Sequence, residues 1–504
     1  MQALLENLRQ QNAQQAAQIQ TLLQRLDALL SENTLLNRKV QFLLQRLFGR
    51  KSEKLNRDQL ELLLGALEQT APDDDEPPPA APPRPRGRRP ERQPRLPQDL
   101  PVEEQIIDPE AVQQDPSAYR CIGQEVTEEL DVVPTRYFRR RIIRRKFTSK
   151  VNRDRAPLIA PLAPRLIEGG YASAGLLTDI LLKKYVDHLP LYRQEQILHT
   201  RHGIELSRKT MCDWVRVAAD WLTPIYNHIR EDLRDSAYLQ VDETPVRYCL
   251  SEGGGSGQGY LWVYHHPGGD VLYEWQTSRA ASCLEGMLDE FRGTVQSDGY
   301  GAYSSYAKER ADLQLAACWA HARRKFHEAR AECPGQAGWL LNQIGHLYRI
   351  EQQLRGQGPQ LRQAVRGAQS AMVLARIEKI LRLKLGQHRP TSAMGSAIAY
   401  TLSLWPQLLR FRDDGRLEID NNLVENAVRP TALGKKNWLF IGHPDAGDRS
   451  AILYTLLENC KRQGINPREY LHDVLSRLPS MTNQQPRSLT PRNWLAARRK
   501  AQAA

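Results

Sequence analysis

The stretch Tyr238–Tyr248, YLQVDETPVRY, decides the fold. Its aromatic and β-branched residues read as a β-strand. That strand sets one carboxylate, Asp242, among apolar neighbours. Further strand-like segments follow at 259–266, 270–276, 293–297 and 311–318, and the loop SEGGGSGQG joins the first two strands as a hairpin. Helix candidates lie at 280–291 and about 319–332, with a short one ahead of the fifth strand. The order β-β-β-α-β-α-β-α predicts an α/β core with a ribonuclease-H-like mixed sheet over 236–430. In that order Asp242 lies in the first strand and Asp298, in VQSDGYGAY, at the end of the fourth. The two strands are then neighbours at the sheet centre.

Residues 335–415 are helical in pattern, hold no convincing strand, and read as an insertion before the last helix of the core. DNNLVENAVRP then restarts a helix over 420–430, with Asn421 as its cap, Pro430 as its limit and Glu425 inside it. Residues 431–479 continue with KKNWLFIG and two more helices, and 480–504 read as a polar, basic tail.

The regions before the core divide into four. Residues 1–50 carry heptads, with Leu5, Asn12, Ile19, Leu26, Asn33, Val40 and Leu47 at a and Leu8, Gln15, Leu22, Leu29, Leu36 and Leu43 at d. The unbroken 3-4 spacing predicts a coiled coil, and Asn at a favours a parallel dimer. A helical tail and a Pro/Arg-rich linker fill 51–101, where Pro recurs too often for a core to form. Residues 102–160 read as a small β-rich module. Its run TRYFRRRIIRRKFTSKVNRDR interleaves aromatic and aliphatic residues with Arg139, Arg140, Arg141, Arg144 and Arg145, a pattern suited to phosphate contact. Residues 161–235 are helical and carry the outline of a helix-turn-helix. One helix ends near Arg201, Gly203 makes the turn, and Ser207 caps a second helix that offers Arg208, Lys209 and Arg216 while keeping Met211, Trp214 and Val215 inward.

Composition narrows the partners. A net charge of +12 over 504 residues suits a polyanion. No apolar run is long enough for a membrane span, and the N-terminus has no signal-peptide pattern. The 7 cysteines are dispersed without a CxxC pair, which fits a reducing cytoplasm.

Asp242, Asp298 and Glu425 are candidate ligands of Mg²⁺, with Mn²⁺ as a substitute. Hard cations take carboxylate oxygens, and the cation offsets the repulsion within an acidic cluster. Each residue also has a simpler reading. Asp242 and Glu243 would be a strand-end pair facing water, Asp298–Gly299 a turn, and Glu425 an i,i+4 partner of Arg429. Glu418 and Asp420 are rivals for the third position, although Asp420 is better placed to cap the helix.

The blocks YLQVDETPVRY, VQSDGYGAY, CWAHARRKFHEA, DNNLVENAVRPTALGKKNWLFIG and ENCKRQGINPREYLHDVL together resemble the insertion-sequence-sixty-six family of bacterial DDE transposases. The likeness runs from about 165 to 478. It implies that Asp242, Asp298 and Glu425 are the acidic triad, and that the chain binds terminal inverted repeats and joins their freed ends to target DNA. Lys435 and Lys436 become further DNA candidates. It also implies a homodimer or higher assembly on DNA, a cytoplasmic, nucleoid-associated location, and helper proteins as possible partners from the same element. The C-x-x-H pair Cys318 and His321 is read as structural or DNA-positioning. The family carries a zinc module on two CxxC pairs. Here Ser149 and Asn152 stand where the second pair would be and the first is missing, so no zinc is expected. The alternative is a catalytically inactive DNA-binding repressor derived from a transposase.

The seam makes a measurable claim. Light scattering on a chain lacking residues 1–50 should report a smaller particle than the full chain, and equal masses would remove the dimer.

Overall fold

The computed structural model describes residues 136–147, 158–159, 161, 163–250, 255–482 and 485–503. The expected coiled coil, the linker and most of the 102–160 module lie outside the described residues. Two short strands, β1 (Lys146–Phe147) and β2 (Leu158–Ile159), pair antiparallel. Among the described residues of the basic run, 136–145 have no regular structure, and Arg139, Arg140, Arg141, Phe138, Ile142 and Ile143 are all exposed. Tyr137 turns inward, donating to Asp179 at 3.2 Å and meeting the His202 ring edge-on.

Helices α1 (Ala174–Tyr185), α2 (Leu191–His202) and α3 (Arg208–Arg234) follow. Gly203, at φ 62°, closes α2 in the left-handed region that glycine adopts without strain. Ser207 accepts the Thr210 N–H at the start of α3. Met211, Trp214 and Val215 are buried, and Arg208, Lys209 and Arg216 are exposed, as the helix-turn-helix outline requires.

The main sheet comprises β3 (Tyr238–Cys249), β4 (Ser256–His265), β5 (Val271–Gln276), β6 (Gly293–Ser297), β7 (Leu313–Ala317) and β8 (Phe440–Ile441). Its order is β5-β4-β3-β6-β7, with β8 beside the far end of β3. The β3-β4-β5 meander is antiparallel, whereas β6 joins β3 and β7 in parallel. Helix α4 (Gly301–Ala307) links β6 to β7, and α5 (Trp319–Ala329) follows β7. The expected helix at 280–291 is only a 3₁₀ turn, Ala281–Leu284, and one α-turn, Glu285–Leu288. Phe291 then enters the core and Gly293 starts β6, which leaves no length for more.

The insertion is wholly helical, with α6 (Pro334–Gln353), α7 (Pro359–Val365), α8 (Ala371–Lys384), α9 (Ala393–Ser403) and α10 (Trp405–Asp413). All but α7 share a second apolar cluster with α5. Arg366, fully buried, holds it by bonding both Glu351 oxygens and the Phe411 and Asp414 carbonyls. Helix α11 (Asn422–Trp438) runs past Pro430, contrary to the expected stop. Val424, Ala427, Thr431 and Gly434 are buried at helical spacing on both sides of the proline, and this packing outweighs the lost hydrogen bond.

Helices α12 (Ala446–Arg462), α13 (Pro467–Arg477) and α14 (Pro491–Ala503) complete the chain. Thr455 and Asn459 of α12 bond the outer backbone groups of edge strand β5 at Tyr273 and Val271, so the edge is covered. The basic tail is folded: Trp494 packs edge-on against Tyr470 and donates to Asp473. No described helix is long and apolar enough to cross a membrane.

A buried amide pair docks α11 on the sheet. Gln240 of β3 and Gln296 of β6 are directly in register and fully buried. Gln240 Nε2 donates to Gln296 Oε1 at 3.0 Å and to the Asp420 carbonyl at 2.8 Å, while Gln240 Oε1 accepts the Val424 N–H at 3.3 Å. Gln296 Nε2 donates to the Glu418 carbonyl at 2.9 Å, and the Tyr238 hydroxyl bonds Gln296 and accepts from the Glu418 N–H. Gln240→Leu leaves the Asp420 carbonyl without its donor and removes the bond to Gln296, while the Val424 N–H keeps the Asn421 carbonyl at 3.1 Å, and the loss should cost roughly 2 kcal/mol. Chemical denaturation measures this, and an unchanged midpoint would remove the amide pair as the dock.

Candidate active site

Strand periodicity positions the two aspartates. Asp242 lies two residues after Gln240 and Asp298 two after Gln296, so each follows its glutamine on one face. Because β3 and β6 run parallel with the glutamines in register, the chain brings both aspartates to the same end of this strand pair, close enough for Asp298 to act on Asp242. Asp298 stands one residue past β6, where the strand turns. Gly299 takes φ 86° there, and a Cβ at that glycine would meet Leu404 Cδ1 at 2.6 Å. Asp298 Oδ1 accepts the Tyr300 N–H at 2.8 Å, and its carbonyl accepts the Tyr400 hydroxyl at 2.6 Å. The turn-forming role is therefore real, and it occupies one oxygen of the carboxylate.

Asp242 and Glu243 do not face water as a pair. Glu243 is saturated: Arg279 holds Oε1 through two nitrogens and the Tyr303 hydroxyl donates to Oε2 at 2.8 Å. Arg279 also stacks 3.7 Å from the ring centre of Tyr300, the residue whose N–H orients Asp298. Among the described residues, Asp242 accepts only the Glu243 N–H, at 3.0 Å. Burial, followed by the negative fields of Glu243, Glu425 and Asp298, pushes its carboxyl up to about 7. Asp242 is thus within electrostatic reach of both Glu425 and Asp298.

The rivals for the third position are engaged elsewhere. Glu418 pairs with Arg362 at 3.0 Å. Asp420 accepts from the Tyr348 hydroxyl at 2.8 Å and from both Asn422 nitrogens, at 3.1 and 2.8 Å. It therefore performs the capping expected of Asn421, whose side chain makes no cap bond. Glu425 has no ion pair with Arg429 among the described residues. Its Oε1 is buried without a hydrogen bond, 3.8 Å from His321 Nδ1, which also lacks one. Cys318 is fully buried, its Sγ accepts the Asn421 N–H at 3.5 Å, and burial pushes its thiol up to about 12.

Hard-cation chemistry fits these residues. Asp242 and Glu425 keep unmade carboxylate oxygens, and their mutual repulsion is of the kind that Mg²⁺ offsets. Near the mouth, Lys435 donates to Thr244 Oγ1 and the Pro245 carbonyl, both at 3.1 Å, and Lys436 is exposed. Arg323 and Arg324 are exposed on α5 beside His321. Sequence reasoning passed over these two arginines and also over Gln240, Gln296, Arg279, Tyr303 and Tyr400. The glutamines share a spacing, each standing two positions before an aspartate, but as neutral residues they did not stand out.

A mixed α/β core with one carboxylate within a central strand, one just past the neighbouring parallel strand and one on a docked helix, and with exposed Lys and Arg on the following helices, is one class of architecture for handling a phosphodiester polyanion. A model of the transposase IS66 family matches residues 169–449, more than half of the sequence. Residues 35–104 match a model described as transposase C of IS166 homeodomain, and residues 455–492 match the IS66 C-terminal element. The chain belongs to the IS66 transposase family. Its relatives in Sinorhizobium fredii include uncharacterized protein y4qI, 34% identical over 74% of this chain and 72% of the relative. Uncharacterized protein y4jD is 34% identical over 80% of this chain and 82% of its own. Uncharacterized protein y4hP is 29% identical over 91% and 88%.

The raised carboxyl of Asp242 predicts a pH dependence. Its proton is held more tightly in the folded state than in the unfolded chain. The resulting stability is full below the ordinary carboxylate range and is lost as pH rises through about 7. Metal-free protein should therefore lose stability from about pH 4 to about pH 7, and Asp242→Asn should flatten that loss. Thermal melts across this range check it, and parallel curves for the two proteins would contradict it.

Proposed function

We propose that this protein is a DDE transposase with a ribonuclease-H-like core, acting on the ends of an insertion sequence. Asp242, Asp298 and Glu425 would hold the divalent cations, Mg²⁺ or Mn²⁺. The observation that carries this reading is the uncompensated negative field at Asp242, to which Glu425 and Asp298 both contribute.

When bound, the cations would activate a hydroxyl nucleophile and stabilise the leaving oxygen. The chain's own residues supply placement. Asp242 is fixed within β3 and Asp298 by its turn, and Glu425 arrives on α11, docked through Gln240. Water attacks a phosphorus at the element end, the P–O3′ bond breaks, and a 3′-hydroxyl and a 5′-phosphate result. That hydroxyl then attacks a target phosphodiester and releases the target's own 3′-oxygen. The exposed Arg208, Lys209 and Arg216 of α3 are suited to the major groove. Arg139, Arg140 and Arg141, together with Lys436, are exposed cations suited to phosphate, and Arg144 and Arg145 extend the run. Lys435, tied to β3, sits nearer the carboxylates. A parallel dimer through residues 1–50 would bring two ends together.

Asp242→Asn, Asp298→Asn and Glu425→Gln should each abolish cleavage and joining of labelled element ends, while end binding by gel shift stays near that of the unmodified chain. Asp420→Asn should retain cleavage. Full activity in Glu425→Gln with loss in Asp420→Asn would move the third ligand to Asp420. End binding without cleavage in the unmodified chain would make it a repressor.

A further inference from the structure

Cys318 and His321 lie 107 and 104 residues before Glu425, at the other end of the helical insertion, so no spacing rule links the three. Their donor atoms nonetheless lie within 4.8 Å of one another. Two backbone bonds fix the approach. Trp319 N–H donates to the Ile419 carbonyl at 3.2 Å, and Asn421 N–H donates to Cys318 Sγ at 3.5 Å. They clamp the start of α5 to the segment that begins α11. His321 then points Nδ1 at Glu425 Oε1, 3.8 Å away and beyond hydrogen-bond range. Both atoms are buried and unpaired, an arrangement that costs free energy unless something sits between them.

We propose that Cys318, His321 and Glu425 form a binding site for a borderline divalent cation of the Zn²⁺ class, sharing Glu425 with the cleavage centre. A sulfur, an imidazole nitrogen and a carboxylate oxygen are the donors Zn²⁺ takes, whereas Mg²⁺ avoids sulfur. A tetrahedral ion at ordinary zinc bond lengths sets such donors about 3.3–3.6 Å apart. The observed separations reach that by small side-chain rotations. The backbone N–H on Cys318 Sγ is the kind of outer contact that steadies a metal-bound thiolate. On binding, Cys318 releases its proton to solvent, His321 ligates as the neutral ring through Nδ1, and water takes the fourth position. This site is separate from the 102–160 module, whose missing cysteines underlie the expectation of no zinc.

Because Glu425 belongs to both sites, Zn²⁺ here withdraws it from the Mg²⁺-dependent reaction and inhibits cleavage. That consequence rests on the proposed function, but the existence of the site does not. Co²⁺ is the probe. Titrated into the metal-free full chain, it should produce a sulfur-to-cobalt charge-transfer band that Zn²⁺ abolishes. Cys318→Ser should lose the band. His321→Gln should weaken Co²⁺ binding at least about tenfold, since even outer-contact losses reach that size. Far-UV dichroism of each metal-free variant controls for folding. If Cys318→Ser does not fold, His321→Gln carries the test alone. No band, or a band that His321→Gln and Cys318→Ser leave intact, overturns the proposal. The latter result would place the ion on other cysteines, such as Cys333 beside Glu332 and His388. The Zn²⁺ concentration that halves cleavage should rise at least about tenfold in His321→Gln. A cobalt band in a chain that cuts no DNA would keep this site and remove the proposed function. Carboxylate-dependent cleavage without the band would do the reverse.

Discussion

The amide pair Gln240–Gln296 holds the architecture of the site together. Two side chains, in register on adjacent parallel strands and buried from water, must find every hydrogen bond inside the protein. They find them in one another and in the backbone of 418–424, about 180 residues from β3 along the chain. Buried polar groups of this kind specify geometry more than they add stability, because any shifted arrangement leaves donors unmade. The helical insertion can therefore be long without loosening the site. Whatever path the chain takes between α5 and α11, the start of α11 returns to the same two glutamines.

Electrostatics explains why this dock must be firm. Like charges at the strand ends repel, and the repulsion is visible in the raised carboxyl of Asp242. Neighbouring acids are dealt with in two ways. Glu243 is neutralised locally by Arg279 and Tyr303, and Asp420 is absorbed into the start of α11. Among the described residues Asp242 accepts one hydrogen bond and Glu425 Oε1 none. Structural carboxylates are satisfied by the protein, and those with cation-binding capacity are not. This difference separates Glu425 from Glu418 and Asp420 more sharply than position in the sequence does.

Much of the sheet was legible because strand alternation and turn residues are local signals. The segments expected at 238–248, 270–276 and 293–297 are strands within a residue or so of those limits. The helix-turn-helix outline at Gly203 and Ser207 was legible for the same reason. What could not be read depends on contacts distant in sequence. Pro430 fails to end α11 because tertiary packing continues on both sides of it. Asn421 gives up the cap to Asp420, whose carboxylate accepts both Asn422 nitrogens and the Tyr348 hydroxyl, a residue 72 positions away. The tail after 480 folds because Trp494 finds Tyr470, and no local pattern announces that contact. The aspartates stood out as charges in apolar strands. The glutamines that position them, being neutral, did not.

The account's central claim is that one cation centre draws on β3, the end of β6 and α11 together. Anomalous diffraction from Mn²⁺-soaked crystals tests it most directly. The account expects density within about 2.1 Å of carboxylate oxygens, with Asp242, Asp298 and Glu425 each supplying at least one. Density that engages the two aspartates and Asp420 while Glu425 stays on His321, or no density between β3 and β6 at all, would contradict it.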